Sequence, residues 1–209
     1  MSTETTTCLP PDSEMVPSSH TSCTPILDLA HRFHLTHPRI GYLCVHGAHE
    51  ESQRLYPASR MSDIFRLPLG GGVLKFNFTL TYWIRRNDET SEQGQFQPHT
   101  DLPHLQSFCL DFYEKNIIAV IKIIGNQYTY LKENDHSRRD AAYHALKAAF
   151  PTYECRRSID HIIDACETAR DLFKVLELLS KDVQLPSEIL EAHTDTTRKQ
   201  SICDGRISS

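Results

Sequence analysis

One thiol and two imidazoles stand close together at Cys44, His46 and His49. Cysteine and histidine at such short spacing are typical zinc ligands, but a tetrahedral site needs a fourth ligand from elsewhere in the chain. No Cys-x-x-Cys pair accompanies them, and a core cysteine beside two exposed loop histidines fits the same pattern. The role of these three residues stays open, and we predict no metal site and no cofactor.

His99 and His104 flank Asp101 in a polar segment, an arrangement that could support acid–base chemistry. Histidines beside an acid are common in surface loops, however. No nucleophile, base and orienting group can be assembled around them from the sequence. We therefore predict no catalytic residue, and an enzyme is the function class that the sequence favours least.

Aromatic and basic residues adjoin at Tyr82, Trp83, Arg85 and Arg86. Such a cluster could stack on a base of a single-stranded nucleic acid. The alternative is that Trp83 packs in the core while the two arginines end a strand in solvent.

A second basic pair, Arg138 and Arg139, follows Ser137 at the predicted start of a helix that ends at Phe150. A helix N-terminus presents free N–H groups and the positive end of the helix dipole, and both attract phosphate. This helix start is therefore a candidate phosphate-binding site.

The elements that must position these residues form a predicted α+β fold, an antiparallel sheet of about four or five strands with helices packed on one face. Alternation of Phe76, Phe78 and Leu80 with polar residues is typical of a half-buried strand. By such patterns we predict strands at Ile40–Val45, Val73–Ile84, Phe108–Phe112 and Ile117–Leu131, the last a hairpin, and a first helix at Pro25–Leu35.

A long C-terminal helix is predicted from Ser158 to about Asp182. Its apolar residues recur at spacings of three and four, which places them on one buried face. They include Ile162, Cys166, Ala169, Phe173 and Leu176.

The chain has 209 residues and a formal net charge of −5, so nucleic-acid binding would need a local basic patch. We predict a single domain over residues 24–190, between disordered tails at 1–23 and 191–209. Seven scattered cysteines favour reduced thiols in the cytoplasm or nucleus. No apolar run approaches the ~18 residues needed to span a bilayer, so we predict no membrane partner.

The hairpin and helix over residues 117–150 resemble the end of the double-stranded-RNA-binding domain. Ala141, Ala145 and Ala149 keep the spacing with which that helix packs on its sheet, behind the Ser-Arg-Arg start. Pro103-His104 is similar to the family's loop that enters a minor groove. The resemblance implies that duplex RNA is bound through phosphate contacts. The implied contact residues are Lys132, His136, Arg138, Arg139 and His104.

Two hypotheses follow from the sequence. In the first, the chain is a small, non-catalytic, intracellular module that binds duplex RNA, or an RNA-processing accessory factor, and grips phosphates through Ser137-Arg138-Arg139. In the second, the same fold is a protein–protein adaptor or dimerisation domain that binds a protein partner or itself and no nucleic acid.

Overall fold

A computed structural model of the chain describes residues 9–56, 70–90, 94–118, 153–181 and 184–203. Within these ranges the regular elements are all helices. Short 3-10 helices at Ser13–Met15 and Ser18–Cys23 precede the first α-helix, and a π-helical segment at Glu114–Ile118 follows the fourth. The α-helices are α1 (Thr24–Phe33), α2 (Pro38–Leu55), α3 (Gly70–Thr90), α4 (Pro98–Tyr113), α5 (Tyr153–Leu179) and α6 (Ser187–Cys203).

The predicted α+β fold with its antiparallel sheet is wrong, and α3 shows why. The buried residues of α3 recur at spacings of three, one, three, three and one, which is the helical period: Val73, Phe76, Asn77, Leu80, Trp83 and Ile84. Phe78, which the strand alternation placed beside Phe76 and Leu80, is 71% exposed. The β-branched and aromatic content favoured a strand, but burial follows the helical face.

The other predicted strands are corrected in the same way. Ile40–Val45 lies in α2, where Pro38 occupies the first turn as proline does at helix starts. Phe108–Phe112 lies in α4. Ile117 and Ile118 belong to the π-helical segment, and the remainder of the predicted hairpin lies outside the described residues.

Two predicted helices are confirmed. The first helix appears as α1, with Pro25 in its first turn. The long C-terminal helix appears as α5, and all five of its named stripe residues are buried: Ile162, Cys166, Ala169, Phe173 and Leu176.

The chain divides into two compact units, the first containing residues 1–105 and 174–184 and the second 106–173 and 185–209. In the first unit, α1 packs closely on α2 at Gly41. A Cβ atom there would stand 3.1 Å from the carbonyl oxygen of Ala30 and from the Cα of His34. Gly47 of α2 likewise meets Val175, whose nearest methyl carbon would lie 3.0 Å from an added Cβ. Glycine lets the helices approach closely at both positions, since an added Cβ would crowd its neighbours.

In the second unit, Cys109, Ile117, Phe173 and Ile189 are buried. The ring of Phe173 stacks on that of His193, with centroids 5.3 Å apart. The predicted domain end at residue 190 falls inside α6. The predicted domain and tail boundaries stay predictions that limited proteolysis would test.

Candidate functional site

The outward face of α3 carries a row of exposed aromatic and basic residues, which we call the α3 ridge: Lys75, Phe78, Tyr82, Arg85 and Arg86. Phe78 is 71% exposed and Tyr82 is 55% exposed. The two residues are four apart, so they share one helix face, and their rings stack with centroids 6.4 Å apart. Arg85 also forms an exposed ion pair with Glu89, one turn further on.

Polar contacts on the inner face of α3 hold the ridge outward. The hydroxyl of Ser52 donates to the side-chain oxygen of Asn77 at 2.5 Å. The indole N–H of Trp83 donates to the carbonyl oxygen of Leu9 at 2.7 Å. Both α3 side chains are buried, so turning the helix about its axis would leave these polar groups unsatisfied at a cost of about 1–3 kcal/mol each.

A third inner contact joins the end of α3 to α2. The hydroxyl of Tyr42 donates to Asp88 at 2.5 Å and lies 3.0 Å from Nε2 of His46. Because the hydroxyl donates its hydrogen bond to Asp88, its oxygen can accept a hydrogen bond from the Nε2–H of His46. Burial, followed by the hydrogen bond to Asp88, raises the pKa of Tyr42, and burial lowers the pKa of His46 to about 4. This cluster therefore holds His46 neutral at ordinary pH.

Arg39 and Asp101 form a largely buried ion pair beside Tyr42. Two guanidinium nitrogens contact the two carboxylate oxygens of Asp101 at 2.7 and 2.5 Å, and a third donates to the carbonyl oxygen of Gly94. The guanidinium lies 4.5 Å from the centroid of the Tyr42 ring. Burial raises the pKa of Asp101, but the hydrogen bonds from Arg39 and from the Gln97 N–H outweigh it and leave that pKa lowered.

Glu51 joins three segments of the first unit. Its side chain is 1% exposed and accepts hydrogen bonds from Arg54 at 2.7 Å, Ser22 at 2.7 Å and Lys174 at 3.2 Å. The hydrogen bond from Arg54, then those from Ser22 and Lys174, lower the pKa of Glu51 to about 2 against the opposing effect of burial. This carboxylate is therefore ionised at neutral pH and serves to fasten α2 to its neighbours.

A polar cluster also joins described residues of the second unit. The hydroxyl of Tyr113 donates to Asp195, which also pairs with Lys199 and Arg198. Burial lowers the pKa of Lys199. These contacts fasten the end of α4 to α6.

The structure assigns places to some of the residues that the sequence singled out. Cys44 is fully buried on α2. On the same helix, His46 contacts Tyr42 and His49 contacts Thr81. No group of potential metal ligands converges in the described ranges. Asp101 forms its ion pair with Arg39, and His99 and His104 are both exposed.

Of the five predicted RNA-contact residues, His104 alone lies within the described ranges. Lys132, His136, Arg138 and Arg139 lie outside the described residues, as does nearly all of the segment that resembles the double-stranded-RNA-binding domain. His104 lies on α4 rather than in a loop.

Sequence reasoning placed Tyr82, Arg85 and Arg86 in one cluster but missed Phe78 and Lys75. The helical spacing of the buried residues from Val73 to Ile84 carries the signal that would have found them. Trp83 is buried, as the alternative interpretation predicted, but Arg85 and Arg86 lie within a helix rather than at the end of a strand.

Comparison with known proteins relates the chain to plant callose synthases. It is 28% identical to callose synthase 3 of Arabidopsis thaliana over 193 residues, which cover 91% of this chain and 8% of that protein. Putative callose synthase 6 of the same plant is 29% identical over 184 residues, or 80% of this chain and 8% of the relative. Callose synthase 7 is 33% identical over 108 residues, which cover 52% of this chain. The chain thus spans about 8% of the length of the first two relatives.

No model of a known protein family matches the chain, and no solved structure matches it. The RNA-binding hypothesis is wrong, because the relatives are callose synthases and the described fold is helical. The adaptor alternative gains no clear support from these relatives. None of the helices in the described ranges is long and apolar enough to cross a lipid bilayer.

Proposed function

We propose that this chain is an accessory helical domain of callose-synthase-type proteins, and that it acts by binding a protein partner through the α3 ridge. The observation that carries the proposal is the pattern of similarity to callose synthase 3. The alignment covers nearly all of this chain but only 8% of the relative. The matched part of callose synthase 3 is therefore a small region of a much longer protein.

The contacts within the first unit support a binding function rather than a catalytic one. Two of its buried carboxylates are held in ion pairs that fasten helices to one another, Asp101 with Arg39 and Glu51 with Lys174. Groups held in this way stabilise the fold, and a reacting group needs to be presented to a substrate instead.

The α3 ridge supports a partner because its composition is that of a binding hot spot. Tyrosine, phenylalanine and arginine are enriched in the centres of protein interfaces. Phe78 and Tyr82 stand side by side in solvent, with Arg85 and Arg86 one turn away. Exposed aromatic residues arranged in a row on one rigid helix fit an interaction surface better than scattered surface apolar residues do.

Replacement of the matching region in callose synthase 3 tests the proposal. The region is deleted, or exchanged for this chain, in cells that lack the native synthase, and callose is measured with a callose-binding dye. We expect deletion to lower callose production and this chain to restore it. The double variant Phe78→Ser with Tyr82→Ser should restore less than the control Leu35→Ser, which changes an exposed apolar residue (78% exposed) outside the ridge.

Unchanged callose production after the deletion would refute an accessory role for this region. A deletion that lowers callose production, followed by an exchange that does not restore it, would show that this chain does not share the role. Equal restoration by the ridge variant and the Leu35→Ser control would remove the ridge from the proposal.

A further inference from the structure

We infer that the partner segment that binds the α3 ridge is an acidic helix with one apolar face, an inference that rests on the proposed protein-partner role of the ridge. The ridge has cations at both ends and aromatic rings between them. Lys75 stands one turn before Phe78, and Arg85 and Arg86 stand one turn after Tyr82. Because Glu89 already pairs with Arg85, the positive charge at that end comes mainly from Arg86. A partner must therefore bring apolar groups to its centre and negative charge to both ends.

The length of the ridge matches a short helix. From Lys75 to Arg86 it extends about 16 Å at 1.5 Å per residue, which is about three helical turns. A partner helix with apolar residues at spacings of three and four would lay one face along the stacked rings. Aspartate or glutamate at its flanks would then pair with the cations.

The ridge is also preorganised for such a contact. The inner-face hydrogen bonds of Asn77, Trp83 and Asp88 fix the rotation of α3. The two rings are already stacked, so little side-chain freedom remains to be lost on binding.

A second copy of this chain fits the ridge poorly. Two identical ridges would place Lys75, Arg85 and Arg86 of one copy against cations of the other, whether the helices ran parallel or antiparallel. Like charges facing each other in an interface oppose association.

An anionic membrane surface also fits less well than an acidic helix. The whole chain carries a net charge of −5, so a broad negative plane would repel much of the molecule. A short acidic helix contacts the ridge alone, and screening over ~10 Å limits its repulsion by acidic groups elsewhere. Local positive charge on an acidic chain thus favours a small acidic partner.

A pair of synthetic peptides tests the inference against the full chain. Each has about 16 residues, with leucines at helical spacing. In one peptide the flanking positions are glutamates, and in its matched control they are lysines. Binding is followed by fluorescence anisotropy of the labelled peptide at low and high salt. The emission of Trp83, the single tryptophan, confirms that each variant is folded.

We expect the glutamate peptide to bind and the lysine peptide not to bind. Phe78→Ser with Tyr82→Ser should weaken binding about tenfold or more, while Leu35→Ser should leave it unchanged. The triple variant Lys75→Glu, Arg85→Glu, Arg86→Glu should reverse the preference and bind the lysine peptide. Lys115→Glu, a single exposed charge reversal in the second unit, shows whether a charge change outside the ridge affects binding. The triple variant keeps the test valid if the aromatic variant fails to fold.

Equal binding of both peptides, or binding of neither, would overturn the inference. Ridge-dependent binding to phosphatidylserine vesicles without peptide binding would assign the ridge to a membrane surface instead. If callose production depends on the ridge but the glutamate peptide does not bind, the acidic-helix inference fails and the proposed function stands. If the peptide binds but deletion leaves callose production unchanged, the proposed function fails and the inference loses the role on which it rests.

Discussion

Lowering the pH from 7 to about 4 should destabilise the first unit through the uptake of a proton by His46 in the unfolded chain. Burial lowers the pKa of His46 from 6.5 to about 4 in the folded protein. Below pH 6.5 the unfolded chain therefore binds a proton that the folded protein does not, and the free energy of unfolding falls until the folded pKa is passed. At roughly 1.4 kcal/mol per pKa unit, the contribution of His46 to this loss is about 3 kcal/mol.

Urea unfolding, followed by the emission of Trp83 at a series of pH values, measures the loss within the first unit. His20, His34 and His49 also have lowered pKa values and add to the loss in the same direction, so the wild type alone does not isolate His46. The His46→Gln variant does, because it keeps a hydrogen-bond donor near the hydroxyl of Tyr42 but does not titrate. The fall in its unfolding free energy from pH 6.5 to pH 4 should be smaller than that of the wild type by about 3 kcal/mol. Parallel pH profiles for the two proteins would refute the assignment of the lowered pKa to His46.

Three further substitutions, one of them compared with a second glycine as its control, should separate packing from electrostatics. Glu51→Gln should lower the free energy of unfolding by about 2 kcal/mol at pH 7, a value reduced because the partner Arg54 is 65% exposed. It should also weaken the pH dependence of that free energy between pH 4.5 and about 2. An unchanged pH dependence in this range would contradict the prediction. Gly41→Ala should destabilise the chain by roughly 1–3 kcal/mol, because the new Cβ meets backbone atoms of Ala30 and His34. The control Gly72→Ala, which has open space around it, should be neutral or stabilising by up to about 1 kcal/mol. Equal effects of the two substitutions in calorimetry would contradict the close approach at Gly41. Phe173→Ala should cost about 3–5 kcal/mol in urea unfolding, and a loss below about 0.5 kcal/mol would mean that its face is not packed.

Sequence reasoning succeeded where one periodicity ran long and uninterrupted. The apolar residues from Ile162 to Leu176 repeat at three and four over several turns, and a strand offers no competing interpretation at that length. Pro25 likewise marks the start of α1, because proline loses nothing in the first turn of a helix.

The same reasoning failed on α2 and α3 because residue type was weighed above spacing. Ile40–Val45 is a short apolar run, which fits a buried strand or a buried helix equally well. In α3, β-branched and aromatic residues favour a strand, but tertiary packing overrides such propensities. The polar contacts of Asn77, Tyr42 and Asp88 could not be foreseen, since each joins residues far apart in the sequence.

Folding of α3 does not account for the exposed aromatic residues of the ridge. The inner face already supplies the apolar residues that packing needs, and its buried polar groups are paired, so folding alone does not require Phe78 to be aromatic. At 71% exposure this side chain gains little from burial, and an exposed aromatic pair beside cations favours unwanted association. Phe78→Ser should therefore leave the free energy of unfolding within about 0.5 kcal/mol of the wild type. If Phe78→Ser leaves stability unchanged but weakens partner binding, the aromatic rings of the ridge act in partner recognition and not in folding.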